Sequence, residues 1–163
     1  MLEQLSVNAQ PASPSIVMMR IFDAPPSAVF EAWTRPEDVA QWWDPGGKPL
    51  AICEIDLRPG GGFRWVHQAD KKIEYPFTGT YRKIAPPHEL VFAARTAPSG
   101  PESIATLSFI EDGGKTRFTM TIECQSIEDR DALLAMRVDV GTARTLENLN
   151  AFLGRTGRTK ESK

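Results

Sequence analysis

Apolar and polar residues along this chain follow two periods, and the changes between them mark out the elements. Ile16 to Phe22 is rich in Ile, Val, Met and Phe and predicts a first strand. Two prolines follow, and then Val29, Phe30 and Trp33 fall at i, i+1 and i+4. That spacing predicts a short amphipathic helix over 26–34, entered from the Pro-Pro turn. Pro36 ends it and opens a second short helix over 36–43. Its first turn carries Glu37 and Asp38, where the helix dipole favours acids, and its apolar edge is Val39, Trp42 and Trp43. Asp44-Pro45-Gly46-Gly47 stops it.

The period then becomes two. Ile52, Glu54 and Asp56 alternate with Cys53, Ile55 and Leu57, and Phe63, Trp65 and His67 alternate with Arg64 and Val66. A longer strand from Tyr75 to Ile84 carries Phe77, Gly79 and Tyr81. After a Pro86-Pro87 turn, Leu90, Phe92 and Ala94 alternate with Val91, Ala93 and Arg95. Two more strands, around Leu107 and Met120, are joined by the hairpin turn Asp112-Gly113-Gly114-Lys115. The result is a half-buried antiparallel sheet. Past Cys124 the period returns to helical. Ser126 is the expected N-cap, and Leu133, Met136, Val140, Ala143, Leu146, Leu149 and Leu153 recur on one stripe without an intervening proline. One helix over 127–153 follows, roughly 40 Å long.

The 163 residues suit one domain. Its expected limits are 14–153, between a loose arm at 1–13 and a basic tail at 154–163. A net charge of −2 gives no broad attraction to nucleic acid or an anionic membrane. No apolar run approaches the roughly 18 residues of a membrane span, and Met1 to Pro14 has no secretory signal pattern. A cytoplasmic protein is expected, with Cys53 and Cys124 as buried reduced thiols.

Candidate chemistry is sparse. Gly114-Lys115-Thr116 lies between strands and lacks the upstream glycine of a phosphate loop. Gly60-Gly61-Gly62 reads as a turn that needs positive φ. No metal-ligand spacing and no nucleotide loop are present, so neither metal nor cofactor is expected. His88 belongs to an exposed turn. His67 points inward as a hydrogen-bonded histidine or a polar anchor for a ligand. Trp33, Trp42 and Trp43 clamp the short helices on the sheet rather than form a cation cage, and Glu54 and Asp56 share a solvated face.

Phe22-Asp23-Ala24-Pro25, Val29-Phe30-Glu31-Ala32-Trp33-Thr34, Pro36-Glu37, Gln41-Trp42-Trp43, Asp56-Leu57-Arg58-Pro59-Gly60-Gly61, Gly79-Thr80-Tyr81 and Pro86-Pro87-His88-Glu89-Leu90-Val91-Phe92 carry a resemblance. Together they resemble the Hsp90 ATPase activator homologue family of the START/birch-pollen-allergen-like (SRPBCC) superfamily, over about residues 15–153. The chain departs from the pattern at Gly141-Thr142, where relatives often have Gly-Trp. The resemblance implies an α+β helix-grip fold: a curved antiparallel sheet wrapped around a long C-terminal helix, with two short helices after the first strand. It also implies a gap between sheet and helix that holds an apolar molecule. The eukaryotic chaperone activators carry a separate N-terminal Hsp90-binding domain for which this chain has no room, so Hsp90 interaction is not expected to carry over.

Strand alternation assigns Phe63, Trp65, His67, Tyr75, Phe77, Phe92, Leu107, Phe109, Phe118 and Met120 to that gap, and the helix adds Met136 and Val140. The expected function is binding of a small hydrophobic or aromatic molecule. The alternatives are a cyclase/aromatase-like or small hydrolytic enzyme using His67 and Tyr75, and a stress-response protein-interaction module with a filled core. Gly79 and Gly141 are expected where another element or a ligand comes close.

Overall fold

The computed structural model describes residues 6–8, 13–43, 50–67, 77–95, 101–135 and 137–155. Tyr75 and Met136 lie outside the described residues, as does the side chain of His67. The elements follow in chain order: β1 (Ser6–Asn8), β2 (Ser15–Phe22), α1 (Pro26–Thr34), α2 (Pro36–Trp42), β3 (Leu50–Ile55), β4 (Gly62–His67), β5 (Phe77–Ala85), β6 (Glu89–Arg95), β7 (Ser103–Asp112), β8 (Lys115–Glu123), α3 (Ile127–Ala135) and α4 (Val138–Arg155). The strands form one sheet in the order β1-β2-β8-β7-β6-β5-β4-β3, antiparallel throughout. From β3 the chain meanders back strand by strand until β8 lies beside β2. The two short helices therefore carry it from β2 to the far edge of the sheet.

Local chemistry explains where these elements begin and end. α1 starts on Pro26, whose missing N–H would have no partner in the first turn of a helix. It ends at Arg35, held extended at φ −100° and ψ 122° because Pro36 excludes the helical conformation from the residue before it. Between β7 and β8, Gly113 and Gly114 have φ of 63° and 86°, the two positive values of a type I′ hairpin. Gly61 answers a different constraint: a Cβ there would lie 2.1 Å from the Asp56 carbonyl oxygen.

Inward positions of the strands build the core. In β2, Ile16, Met18, Arg20 and Phe22 are buried. In β7 and β8 they are Ala105, Leu107, Phe109, Phe118, Met120 and Ile122. Leu146, Leu149, Phe152 and Leu153 of α4 join the same cluster, as do Phe30, Trp33 and Trp42 of the short helices.

Three expectations need correction. The C-terminal helix is not continuous: α3 and α4 are separated at 136–137, where Arg137 adopts φ 63° and its N–H turns back to the Leu134 carbonyl. A left-handed residue there interrupts the ladder. The side-chain stripe runs on through the break, so periodicity alone joined the two helices. Val140, placed at the gap on the strength of that stripe, is 48% exposed. Among the described side chains of α4, burial begins at Thr145 and Leu146. Finally, the N-terminal arm is not wholly loose, because Ser6–Asn8 pairs with Val17–Met19 as an edge strand.

Candidate functional site

Eight of the residues expected at the gap pack together as one apolar wall of the core. Phe63, Trp65, Phe92, Leu107, Phe109, Phe118 and Met120 are all buried in one cluster, with Phe77 half-buried against it. Phe63 stands opposite Gly79 across the β4–β5 pair. A Cβ on Gly79 would lie 2.5 Å from that ring, so the close approach expected at this glycine is made by the Phe63 ring. At Gly141 an added Cβ meets nothing within 4 Å, so no close approach is made there.

The tryptophans of the short helices lie against the same wall. Trp33 stacks on Phe118 at 5.8 Å between centroids and meets Trp42 edge-on at 4.8 Å. Trp43 stacks on Phe77 at 5.3 Å and meets Trp65 edge-on at 4.7 Å. The clamping role expected of these residues is met, yet their polar atoms differ. Trp42 Nε1 donates to the Ala32 carbonyl at 2.9 Å. Trp33 Nε1 and Trp65 Nε1 are equally buried and have no acceptor among the described residues. A buried N–H without a partner loses its hydration and gains nothing in return, which is uncommon in a folded protein.

A residue missed in the sequence completes the wall. Arg20 in β2 is 4% exposed and points inward between Met18 and Phe22. Its Nη1 donates to Glu147 Oε1 of α4 at 2.6 Å, and its Cζ lies 5.5 Å from the centre of the Phe22 ring. Nε and Nη2 are buried without a partner among the described residues. The signal was available: with period two from Ile16, position 20 falls on the apolar face. Ring contacts link it to the tryptophans, from Phe22 to Phe118 at 5.6 Å, to Trp33 at 5.8 Å and on to Trp43 at 6.3 Å.

The remaining candidates are quiet. Burial, followed by the charges of Glu37 and Glu54, pushes the half-buried Cys53 thiol up to about 11, and burial raises Cys124 as well. Both cysteines are free, and neither is as fully buried as expected. The Tyr81 phenol is pushed up by burial and then by Cys53. His88 is exposed in its turn, and so are Glu54 and Asp56. Among the described residues, no group of three or more His, Cys, Asp or Glu is placed to hold a metal. No described helix is long and apolar enough to cross a membrane. A cleft of about 170 Å³ lies on the opposite face of the sheet, over Thr78, Thr80, Ala93, Arg95 and Glu102.

Known structures share this architecture. A protein of Rhodobacter sphaeroides superposes with a TM-score of 0.85 at 22% identity, covering 93% of this chain and 99% of its own. One from Mycobacterium smegmatis gives 0.82 at 22%, covering 92% and 97%. One from Nitrosomonas europaea gives 0.80 at 23%, covering 89% and 97%. At these identities the likeness establishes the fold. No curated protein matches the sequence. Residues 23–154, which span the two short helices, the sheet from β3 to β8 and nearly all of α4, match the Activator of Hsp90 ATPase homolog 1-like protein family, and the chain belongs to it.

Proposed function

We propose that this chain binds a small apolar, aromatic molecule between the sheet and α4, held by rings and oriented by buried donors. The helix-grip fold of the family is a ligand-binding type of scaffold. The observation that carries the reading is the pair of indole N–H groups, Trp33 Nε1 and Trp65 Nε1, buried in a ring-lined interior without acceptors. Apolar sites with a few placed polar groups are the usual design of small-molecule pockets. A ligand with a flat apolar body and a carbonyl or similar acceptor fits both features.

Acetylnaphthalene, a flat ring system with one carbonyl, is a direct probe. Its titration, followed by tryptophan fluorescence and calorimetry, is expected to saturate at one molecule per chain. Trp33→Phe keeps a ring and removes the donor, and is expected to weaken binding roughly five- to tenfold. Absence of saturable binding by the folded protein would refute the reading. The tight seating of Phe63 over Gly79 favours a second reading, an interaction module with a filled core, and that same negative result would support it.

A further inference from the structure

We infer that Arg20 is the anchor for an oxyanion, a carboxylate foremost, so that the ligand is an apolar or aromatic acid. This rests on the binding reading above and specifies its ligand class. A guanidinium presents two edges that can hold a carboxylate with a pair of parallel hydrogen bonds, and one of them is the edge formed by Nε and Nη2. Those are the two nitrogens of Arg20 that have no partner, while Nη1 is taken by Glu147. Arg20 is 4% exposed, whereas Glu147 is 55% exposed on the helix above it. Among the described residues the charge therefore has one half-solvated counter-ion and a full carboxylate-binding edge turned into the interior.

A purely structural arginine is usually satisfied on both edges, because a buried cation with unmet donors is costly. The position of Arg20 also fits an acid with a ring. Its Cζ lies over Phe22, and the ring contacts from Phe22 through Phe118 to Trp33 continue away from it. An acid held on the Nε/Nη2 edge directs its apolar body along that row. Glu147 acts as the carboxylate that keeps Arg20 paired, and it competes electrostatically with an incoming anion.

Naphthoate and acetylnaphthalene share a ring system and differ in charge, so together they isolate the anchor. The full chain is expected to bind naphthoate more tightly than the ketone. Arg20→Met is expected to lower naphthoate affinity about tenfold or more and to lower that of the ketone by much less. Glu147→Gln, at an exposed position, is expected to raise naphthoate affinity several-fold without moving the ketone. It decides the matter if Arg20→Met does not fold. Equal effects on both probes, or no effect of Glu147→Gln on naphthoate, overturn the anchor and leave an arginine whose free edge is met by internal water. Ketone binding without any preference for the acid overturns the anchor while the binding reading stands. Binding of neither probe overturns both.

Discussion

The interior has two ends that are built differently. At the tryptophan end, Trp43, Trp65 and Phe77 meet ring to ring, the ionisable neighbours Cys53 and Tyr81 are held in their neutral forms by burial, and the polar groups are indole N–H donors. At the β2 end, a full positive charge is buried at Arg20 and balanced by one carboxylate that is itself half in water. The first end is stabilised by its contacts. The second bears a desolvation cost that its visible contacts offset only in part. A domain of marginal stability rarely keeps such a group for packing alone, so Arg20 joins the unpaired indole donors of the other end as a group that serves binding.

The largest test of the contrast concerns the ring that joins the two ends. Phe118 is fully buried and touches Phe22, Trp33 and Phe109. Phe118→Ala should cost about 3–5 kcal/mol in urea unfolding, as large-to-small core changes do. A cost below about 1 kcal/mol would mean that the ring row is loosely seated. The charged end should behave in the opposite way. Arg20→Met removes a buried cation and leaves Glu147 half-exposed, so stability should stay level or rise by about 1–3 kcal/mol. A loss of that size would make Arg20 a structural residue.

The tryptophans allow a finer comparison. Trp42→Phe deprives the buried Ala32 carbonyl of its donor and should cost about 1–3 kcal/mol. Trp33→Phe removes a donor that has no acceptor and should change stability by less than about 1 kcal/mol. Equal costs would show that the two indoles are used alike.

Much of this was legible in the sequence, for identifiable reasons. Period-two alternation placed Phe63, Trp65, Phe92, Phe109 and Phe118 on one face, because a strand cannot change which face a side chain points to without a slip in register. Pro25-Pro26 and Pro36 fixed the short helices, and Asp112-Gly113-Gly114-Lys115 fixed a hairpin, since these residues act through their own backbone geometry. The break at Arg137 was not legible. Neither proline nor glycine marks it, and the apolar stripe crosses it. Val140 was misplaced for the same reason. Arg20 was legible: it falls on the inward register of β2, although the apolar content of that strand masks the one charge it carries.

Arg137→Gly sharpens the point about the helix break. Glycine tolerates φ of 63°, so the substitution should stabilise the chain by roughly 0.5–1 kcal/mol. Destabilisation would mean that the arginine side chain itself holds the junction. The smallest effect is expected at Cys53, opposite Trp65 in the β3–β4 pair. Its pKa is raised from 9.0 to about 11, so the native state favours the protonated thiol. The corresponding stability is fully present below pH 9 and is lost as pH rises through about 11. In a Cys124→Ser background, iodoacetamide labelling of Cys53 should stay slow near pH 8 and accelerate only as pH approaches that value. Rapid labelling at pH 8 would mean that water reaches the tryptophan end freely.

The central claim is that buried donors in this interior await the acceptor of a ligand, and the indole N–H signals report on it directly. The chain has four tryptophans, whose indole resonances can be assigned by single Trp→Phe changes in a ¹⁵N-labelled protein. On addition of acetylnaphthalene, a downfield shift is expected for whichever of the Trp33 and Trp65 indole protons gains the carbonyl, and little change for Trp42, which is already bonded to Ala32. Unmoved Trp33 and Trp65 signals at saturating probe would contradict the claim.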